Sequence, residues 1–184
     1  MARTVRRVVT GRNADGKSVF VSDDDVDATT IALSPGSEFH QLWGGDAVPS
    51  LPIDGTEPAH SGYFPPPGGF RFNFFTVPPA GTAFPPDLDI AAALVEMEEK
   101  LPGMGAHMEP DDPGMHTTDT IDFEVVLSGQ IICELDDGAE VTLNPGDTFV
   151  QNGTRHRWRN PGSEPAVLFV ALLGAEQGDR PPLA

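Results

Sequence analysis

Cysteine is nearly absent from this chain of 184 residues, whose one cysteine is Cys133. A single cysteine cannot form an internal disulfide, so packing and hydrogen bonds have to stabilise the fold. Cys133 lies in the apolar run IICEL, which predicts a buried thiol. Apolar runs near the ~18 residues of a membrane span are also lacking, and the start MARTVRRVVT lacks the apolar stretch of a signal peptide. These features predict a cytoplasmic protein.

Positive charge is scarce as well. The chain has 11 Lys and Arg against 28 Asp and Glu, which gives a formal net charge of -17. Its two lysines are Lys17 and Lys100. Such a charge disfavours binding to a phosphate backbone or to an anionic membrane. We therefore predict a soluble, self-repelling surface with no nucleic-acid and no membrane partner; adaptation to high salt is the alternative interpretation.

Common catalytic motifs are missing from the sequence. It has no phosphate-binding glycine loop, no Gly-x-Ser-x-Gly turn and no Cys-x-x-Cys pair. Histidines and carboxylates are therefore the candidate reactive groups.

Turn residues are abundant, with 20 glycines and 19 prolines. From residue 120 onward, turn signals recur every eight to twelve residues with strand-like segments between them. That spacing is typical of an antiparallel β-barrel or sandwich. Earlier in the chain we predict strands over 4–9, 18–21 and 71–77, and a loop-rich segment over 34–70. The sequence thus predicts an all-β fold.

One segment, LDIAAALVEMEEK, has helical periodicity. Asp87 is the predicted N-cap, and Ile90, Leu94, Met97 and Leu101 recur at steps of four, three and four. The Pro-Gly pair that follows ends the helix. We predict one short α-helix that covers the outside of the barrel.

Two motifs between residues 104 and 174 resemble those of the cupin superfamily. The first motif runs Gly, five residues, His-x-His, three or four residues, Glu, six residues, Gly. The second runs Gly, five residues, Pro-x-Gly, two residues, His, three residues, Asn. The matching residues of this chain are His116, Asp122 and Gly129 in the first motif and Gly146, Gly153, His156 and Asn160 in the second.

The resemblance implies a jelly-roll type of antiparallel barrel. Residues 1–80 would then be an N-terminal extension of the same domain, and residues 81–184 the helix plus the barrel core. A homodimer is also implied, with the edge strands of the extension as the expected contact, since unpaired strand edges need covering.

The resemblance further implies a metal centre. Cupins that bind metal typically use three His and one Glu; here Thr118 occupies the second His position and Asp122 replaces the Glu. His116, Asp122 and His156 are the implied ligands, with His156 facing the other two across the interior. Nitrogen and oxygen donors suit Fe(II), which we favour, or Mn(II), Ni(II) or Zn(II). Two His and one carboxylate would form the facial triad of non-haem iron oxygenases.

Strand alternation adds further candidates to this site. Glu124 lies two residues after Asp122, so it shares the inward side and would be a ligand or the catalytic proton acceptor. His156 and Trp158 alternate with a row of arginines and are predicted to point inward. Thr118 and Trp158 are the predicted substrate-pocket residues.

The arginine row is Arg155, Arg157 and Arg159. We predict that it faces solvent and pairs with acidic side chains, with binding of an acidic ligand or a subunit as the alternative. His107 is interpreted as a structural histidine, with a role as a third imidazole as the alternative. His40 and His60 are assigned no role.

Two classes of function remain open at this point. The first is a metal-dependent enzyme on a small molecule, most plausibly an oxygenase acting on an aromatic or polyketide-like compound; isomerase, lyase and decarboxylase activities are open as well. The second is a non-catalytic ligand-binding module with a degenerate metal site.

Overall fold

A computed structural model describes residues 4–178. The strands are β1 (Val5–Arg12), β2 (Ser18–Val26), β3 (Glu38–Gly45), β4 (Phe70–Val77), β5 (Thr120–Ser128), β6 (Ile131–Glu134), β7 (Glu140–Leu143), β8 (Thr148–Asn152), β9 (Arg157–Arg159) and β10 (Ala166–Gly174). The helices are α1 (Ile90–Lys100) and two short 3-10 helices, Met104–His107 and Asp136–Gly138. Within this part of the chain, no helix combines the length and apolar character needed to cross a membrane.

Two antiparallel sheets pack against each other. One has the order β3-β4-β10-β5-β8, the other β7-β6-β9, and β1 and β2 form a separate hairpin. Side chains from both sheets, including Leu168, Val126, Ile131 and Leu143, share one buried apolar cluster. The predicted all-β antiparallel architecture with one helix is confirmed. Because β3 and β4 belong to the same sheet as β5 and β10, residues 38–77 contribute directly to the main sheet.

The prediction of a loop-rich segment over 34–70 is wrong for β3. Its sequence, EFHQLWGG, contains no β-branched residue and ends in two glycines, so its local strand signal is weak. Pairing with β4, for instance Phe39 opposite Phe75, stabilises the strand conformation of this segment. The predicted strand over 71–77 is confirmed by β4. Those over 4–9 and 18–21 are β1 and β2, both longer than predicted because they pair with each other.

The N-cap of helix α1 lies two residues later than predicted. Asp89, not Asp87, is the N-cap, and its carboxylate accepts a hydrogen bond from the Ala92 amide at 3.1 Å. The predicted apolar stripe is also only partly right, since Ile90 and Leu94 are half exposed. The buried residues of α1 are Ala93 and Met97, and the C-cap Leu101 is buried as well. Met97 and Leu101 join a second apolar cluster that contains Phe39 and Tyr63.

Candidate active site

A cavity of about 850 Å³ lies where the two apolar clusters approach each other. Much of its wall is apolar and comes from β3, β4, α1 and the segments beside them, with Phe39, Phe75 and Met97 as examples. The polar part of its lining, which we call the polar end, includes His116, Thr118, Asp122, Glu124 and His156. A volume of this size suits a small organic molecule.

The two histidines of the polar end are direct neighbours. His116 and His156 form an antiparallel bridge in which each backbone amide donates to the other's carbonyl at 3.0 Å. Their ring centroids are 4.1 Å apart. The prediction that His156 faces His116 from across the interior is therefore wrong: a backbone bridge outside the named strands places the imidazoles side by side, and spacing alone did not reveal it.

Each imidazole is oriented by its own turn. His116 Nδ1 lies 3.0 Å from the Gly114 carbonyl, and His156 Nδ1 lies 2.9 Å from the Thr154 carbonyl. Because a carbonyl only accepts, both Nδ1 atoms carry the proton, and each neutral ring keeps an unprotonated Nε2. Burial lowers the pKa of His116; burial and the neighbouring His116 lower the pKa of His156 to about 3. Both rings are therefore neutral acceptors at physiological pH.

The two acids of the polar end lie on the inward side of β5. Asp122 is 3% exposed and Glu124 is 5% exposed. Among residues 4–178, neither Asp122 Oδ1 nor Glu124 Oε2 has a hydrogen-bond partner. Burial raises the pKa of Asp122 to about 6, and burial together with the Asp122 charge raises the pKa of Glu124 well above its usual value. The acids thus retain protons to higher pH than ordinary carboxyls, whereas the imidazoles lose theirs at lower pH.

Thr118 and Trp158 also lie on the cavity wall, as the sequence predicts for pocket residues. The Thr118 hydroxyl is buried and accepts a hydrogen bond from the Thr120 hydroxyl at 2.8 Å. The Trp158 ring meets the His156 ring edge-on, with centroids 5.8 Å apart. All six predicted site residues therefore face one cavity, and their chemical roles remain predictions.

The donor types at this end suit a divalent transition metal, since unprotonated imidazole nitrogens and carboxylate oxygens are typical ligands. Their arrangement does not fit one. Within residues 4–178, no three or more His, Cys, Asp or Glu side chains are placed so that they could hold a metal ion. Two differences from the cupin motif account for this. Thr118 removes the second imidazole, and Asp122 is one methylene shorter than the Glu it replaces.

The sequence analysis missed two polar residues near the site. Tyr63 is buried, lines the cavity and has its pKa raised by burial and by the charges of Asp122 and Glu124. Gln151 is paired in register with Asp122 on the inward side of β8. The alternation of inward and outward side chains along β8 would have placed Gln151 inward. Tyr63 follows an irregular segment whose sequence has no such alternation.

The arginine row pairs with acids, as predicted. Arg155 contacts Glu109 at 2.7 Å and Asp112 at 2.8 Å, and Arg157 contacts Asp112 at 2.9 Å. Glu109 belongs to a loop that lines the cavity, so these ion pairs fix one part of its wall. His107 contacts the Thr117 carbonyl through Nδ1 at 3.0 Å, which supports its structural interpretation.

Several known proteins and one family model are similar to this chain. Residues 106–172 match the family described as the cupin domain. Phomopsin biosynthesis cluster protein C' of Diaporthe leptostromiformis is 29% identical over 172 residues, which cover 92% of this chain and 79% of that protein. The cupin-domain-containing oxidoreductase srdB of Neurospora crassa is 26% identical, covering 91% of this chain and 72% of that protein. The Cnp3 cupin domain of Schizosaccharomyces pombe aligns with a TM-score of 0.47 and 11% identity, over 92% of this chain and 87% of that one.

Proposed function

Because residues 106–172 of this chain match the cupin-domain family, we propose that it is a small-molecule enzyme that transfers protons on an apolar, aromatic or polyketide-like substrate. One observation carries the proposal: two imidazoles and two carboxyls line one largely apolar cavity of about 850 Å³. Such a cavity would exclude water from the apolar body of a substrate and leave its polar group against the reactive side chains.

The geometry suggests a division of roles. His156 Nε2 would accept a proton from a C–H beside a carbonyl or from an O–H, because its Nδ1 is held by the Thr154 carbonyl. Glu124 would return a proton to another atom of the substrate from its buried carboxyl. The substrate then rearranges, or loses water, without a net change in oxidation state. Isomerases and lyases are the reaction classes that fit this exchange.

The names of related proteins support a role in biosynthesis. Phomopsin biosynthesis cluster proteins of Diaporthe leptostromiformis match this chain over most of its length. We infer that the chain acts on an intermediate in the biosynthesis of a small organic product. We further propose a small-molecule substrate, no nucleic-acid or membrane partner, a homodimeric assembly and a cytoplasmic location.

The proton-transfer proposal predicts hydrogen exchange. Enolisable aromatic ketones and β-dicarbonyl compounds incubated with the protein in D₂O should gain deuterium beside the carbonyl, as measured by mass spectrometry. Replacing Glu124 by Gln, or His156 by Gln, should slow the exchange by about 10²-fold or more, a typical effect of losing a general acid or base. Glu99→Gln, at an exposed position of α1, is the matched control and should leave the rate unchanged.

Deuterium exchange that is no faster than in buffer alone, for every compound, would contradict the proposal. If the same compounds nevertheless quench the fluorescence of Trp158 in a Trp43→Phe variant, whose single remaining tryptophan lines the cavity, the chain is a ligand-binding module without catalysis.

A metal-dependent oxygenase is the second candidate function. Two observations favour it: the paired, unprotonated Nε2 atoms of His116 and His156, and the name oxidoreductase carried by two related proteins. His116 and His156 would hold the ion, with Asp122 as the third ligand and Fe(II) favoured over Mn(II), Ni(II) or Zn(II). A bound ion would supply Lewis acidity and open positions for substrate and oxygen.

Metal analysis separates the two candidates. Since no three donor side chains of residues 4–178 are placed to hold an ion, we expect protein purified without a metal-chelating tag to hold no stoichiometric transition metal and to keep its melting temperature in the presence of these ions. Thr118→His supplies the missing imidazole and should gain stability from the metal, about 4 kcal/mol at a thousand times the dissociation constant. Stoichiometric metal in the unmodified protein would instead favour the oxygenase.

A further inference from the structure

Tyr63, the one tyrosine of the chain, is a buried hydrogen-bond donor on the cavity wall. Its ring packs edge-on against those of Phe39 and Phe64, with centroids 5.8 Å and 5.0 Å apart. Burial and the charges of Asp122 and Glu124 raise the pKa of its hydroxyl. The phenol therefore keeps its proton over the physiological pH range and can donate it to a hydrogen bond.

The backbone of Tyr63 is fixed on both sides although it lies in an irregular segment. Its amide donates to the Pro102 carbonyl at 2.9 Å. The preceding carbonyl, of Gly62, accepts from Arg71 Nε at 3.0 Å and from Arg71 Nη2 at 2.6 Å. Burial of a guanidinium is costly unless it is hydrogen-bonded, and part of its bonding here holds this carbonyl. The ring of Tyr63 is thus positioned before any ligand binds.

Proton transfer beside a carbonyl requires a donor of this kind. When a carbon next to a carbonyl loses its proton, negative charge develops on the carbonyl oxygen and has to be stabilised by a hydrogen-bond donor. His116 and His156 present acceptors to the cavity. Asp122, whose pKa is about 6, is ionised at neutral pH and opposes a second negative charge. These three groups therefore cannot hold the oxygen.

Other donors of the cavity lining already have partners. The Thr82 hydroxyl donates to a backbone carbonyl at 2.7 Å, and Asn160 Nδ2 donates to two backbone carbonyls at 3.0 Å and 2.8 Å. Arg159 is paired with two glutamates. The phenol is also more acidic than the hydroxyl of Thr118 or the indole of Trp158, and a more acidic group donates more strongly to a negative oxygen. These comparisons favour Tyr63.

We propose that Tyr63 is a catalytic residue whose hydroxyl donates a hydrogen bond to the carbonyl oxygen of the substrate; this inference rests on the proposed function. His156 Nε2 takes the proton from the neighbouring carbon, the C–H electron pair forms a C=C bond, and the carbonyl π pair moves to the oxygen. Tyr63 stabilises that charge and keeps its own proton. The carbonyl re-forms as Glu124 returns a proton to another atom, and solvent exchange restores both side chains. The substrate class is therefore an enolisable aromatic ketone.

Tyr63→Phe tests the role in turnover, because it removes one oxygen and keeps the ring that packs against Phe39 and Phe64. The probe is 2-acetylnaphthalene at a saturating concentration in D₂O, and mass spectrometry measures deuterium in its methyl group. The exchange rate should fall by about 10²-fold to 10³-fold, the usual effect of losing one donor to a developing oxyanion. Thr142→Val removes an exposed hydroxyl from β7 and should leave the rate unchanged. An unchanged rate in Tyr63→Phe would overturn the proposal.

Binding measurements test the same hydrogen bond without turnover. The ketone 2-acetylnaphthalene and the hydrocarbon 2-ethylnaphthalene share one aromatic body, and only the ketone has an oxygen that can accept. By calorimetry, Tyr63→Phe should bind the ketone about fivefold more weakly than the unmodified protein and the hydrocarbon equally well. A merely structural role of Tyr63 would instead weaken both compounds alike.

Equal affinities of the two proteins for the ketone, or equal losses for both compounds, would overturn the role of Tyr63. The two proposals can fail separately. If the unmodified protein exchanges no compound, the proton-transfer function fails, and the calorimetric comparison still decides whether Tyr63 donates to a carbonyl.

Discussion

Asp122→Asn is expected to raise the free energy of unfolding at neutral pH. The carboxyl is buried, and burial raises its pKa from 3.8 to about 6. When the pKa of a carboxyl is higher in the folded state than in the unfolded state, the group stabilises the fold fully at pH values below the unfolded-state pKa. This contribution is lost as pH rises through the folded-state pKa. At 1.36 kcal/mol per pKa unit, the ionised group costs about 3 kcal/mol above pH 6. An amide removes that cost.

The pH dependence identifies the cause. The stability difference between Asp122→Asn and the unmodified protein should be small below pH 3.8, grow up to about pH 6, and stay constant above it. Glu124→Gln should behave in the same direction, because burial also raises the pKa of Glu124. Urea unfolding at several pH values measures both, and exposed Asp24→Asn is the control. Loss of stability in Asp122→Asn at pH 7 would contradict this account and indicate that a cation compensates the carboxylate.

Arg71→Met is expected to destabilise the fold by 3–5 kcal/mol, about the effect of breaking a buried ion pair. The side chain of Arg71 is 1% exposed and contacts the Asp46 carboxylate at 2.6 Å. It also donates to the carbonyls of Gly45 at 3.0 Å and Gly62 at 2.6 Å. Without the guanidinium these buried and half-buried acceptors lose their donor. Gly62 precedes Tyr63, so the variant should also disturb that part of the cavity wall.

Urea unfolding compares Arg71→Met with Arg6→Met as a matched control. Arg6 pairs with Asp23 on the surface of the hairpin, where solvent screens the interaction, so its loss should be barely measurable. Equal effects of the two substitutions would show that burial of Arg71 does not determine its importance.

Patterns that repeat along the chain were readable from the sequence. The alternation around His156 and Trp158 placed both on the inner side, and the motif spacing located Asp122 and Glu124 on one inward strand face. These predictions depend only on a period of two and on a resemblance that covers the strands concerned. Turn residues likewise marked the strand ends from residue 120 onward.

Features set by contacts distant in sequence were not readable. Strand β3 owes its conformation to β4, about 30 residues later, and not to its own composition. The side-by-side arrangement of His116 and His156 depends on a bridge between segments 40 residues apart. Thr118 at the second His position was readable, but the positions of the remaining donors of residues 4–178 around one point were not, because no sequence spacing fixes them.

The central claim is that His116 and His156 present unprotonated Nε2 atoms to a cavity shared with two buried acids. NMR of isotope-labelled histidine side chains over a pH series tests it most directly, since it reports both the proton position and the pKa of each ring. The account predicts the Nδ1-protonated form in both rings and a His156 that stays neutral down to about pH 3. Ionisation of His156 near its ordinary value of 6.5, or a proton on Nε2, would contradict it.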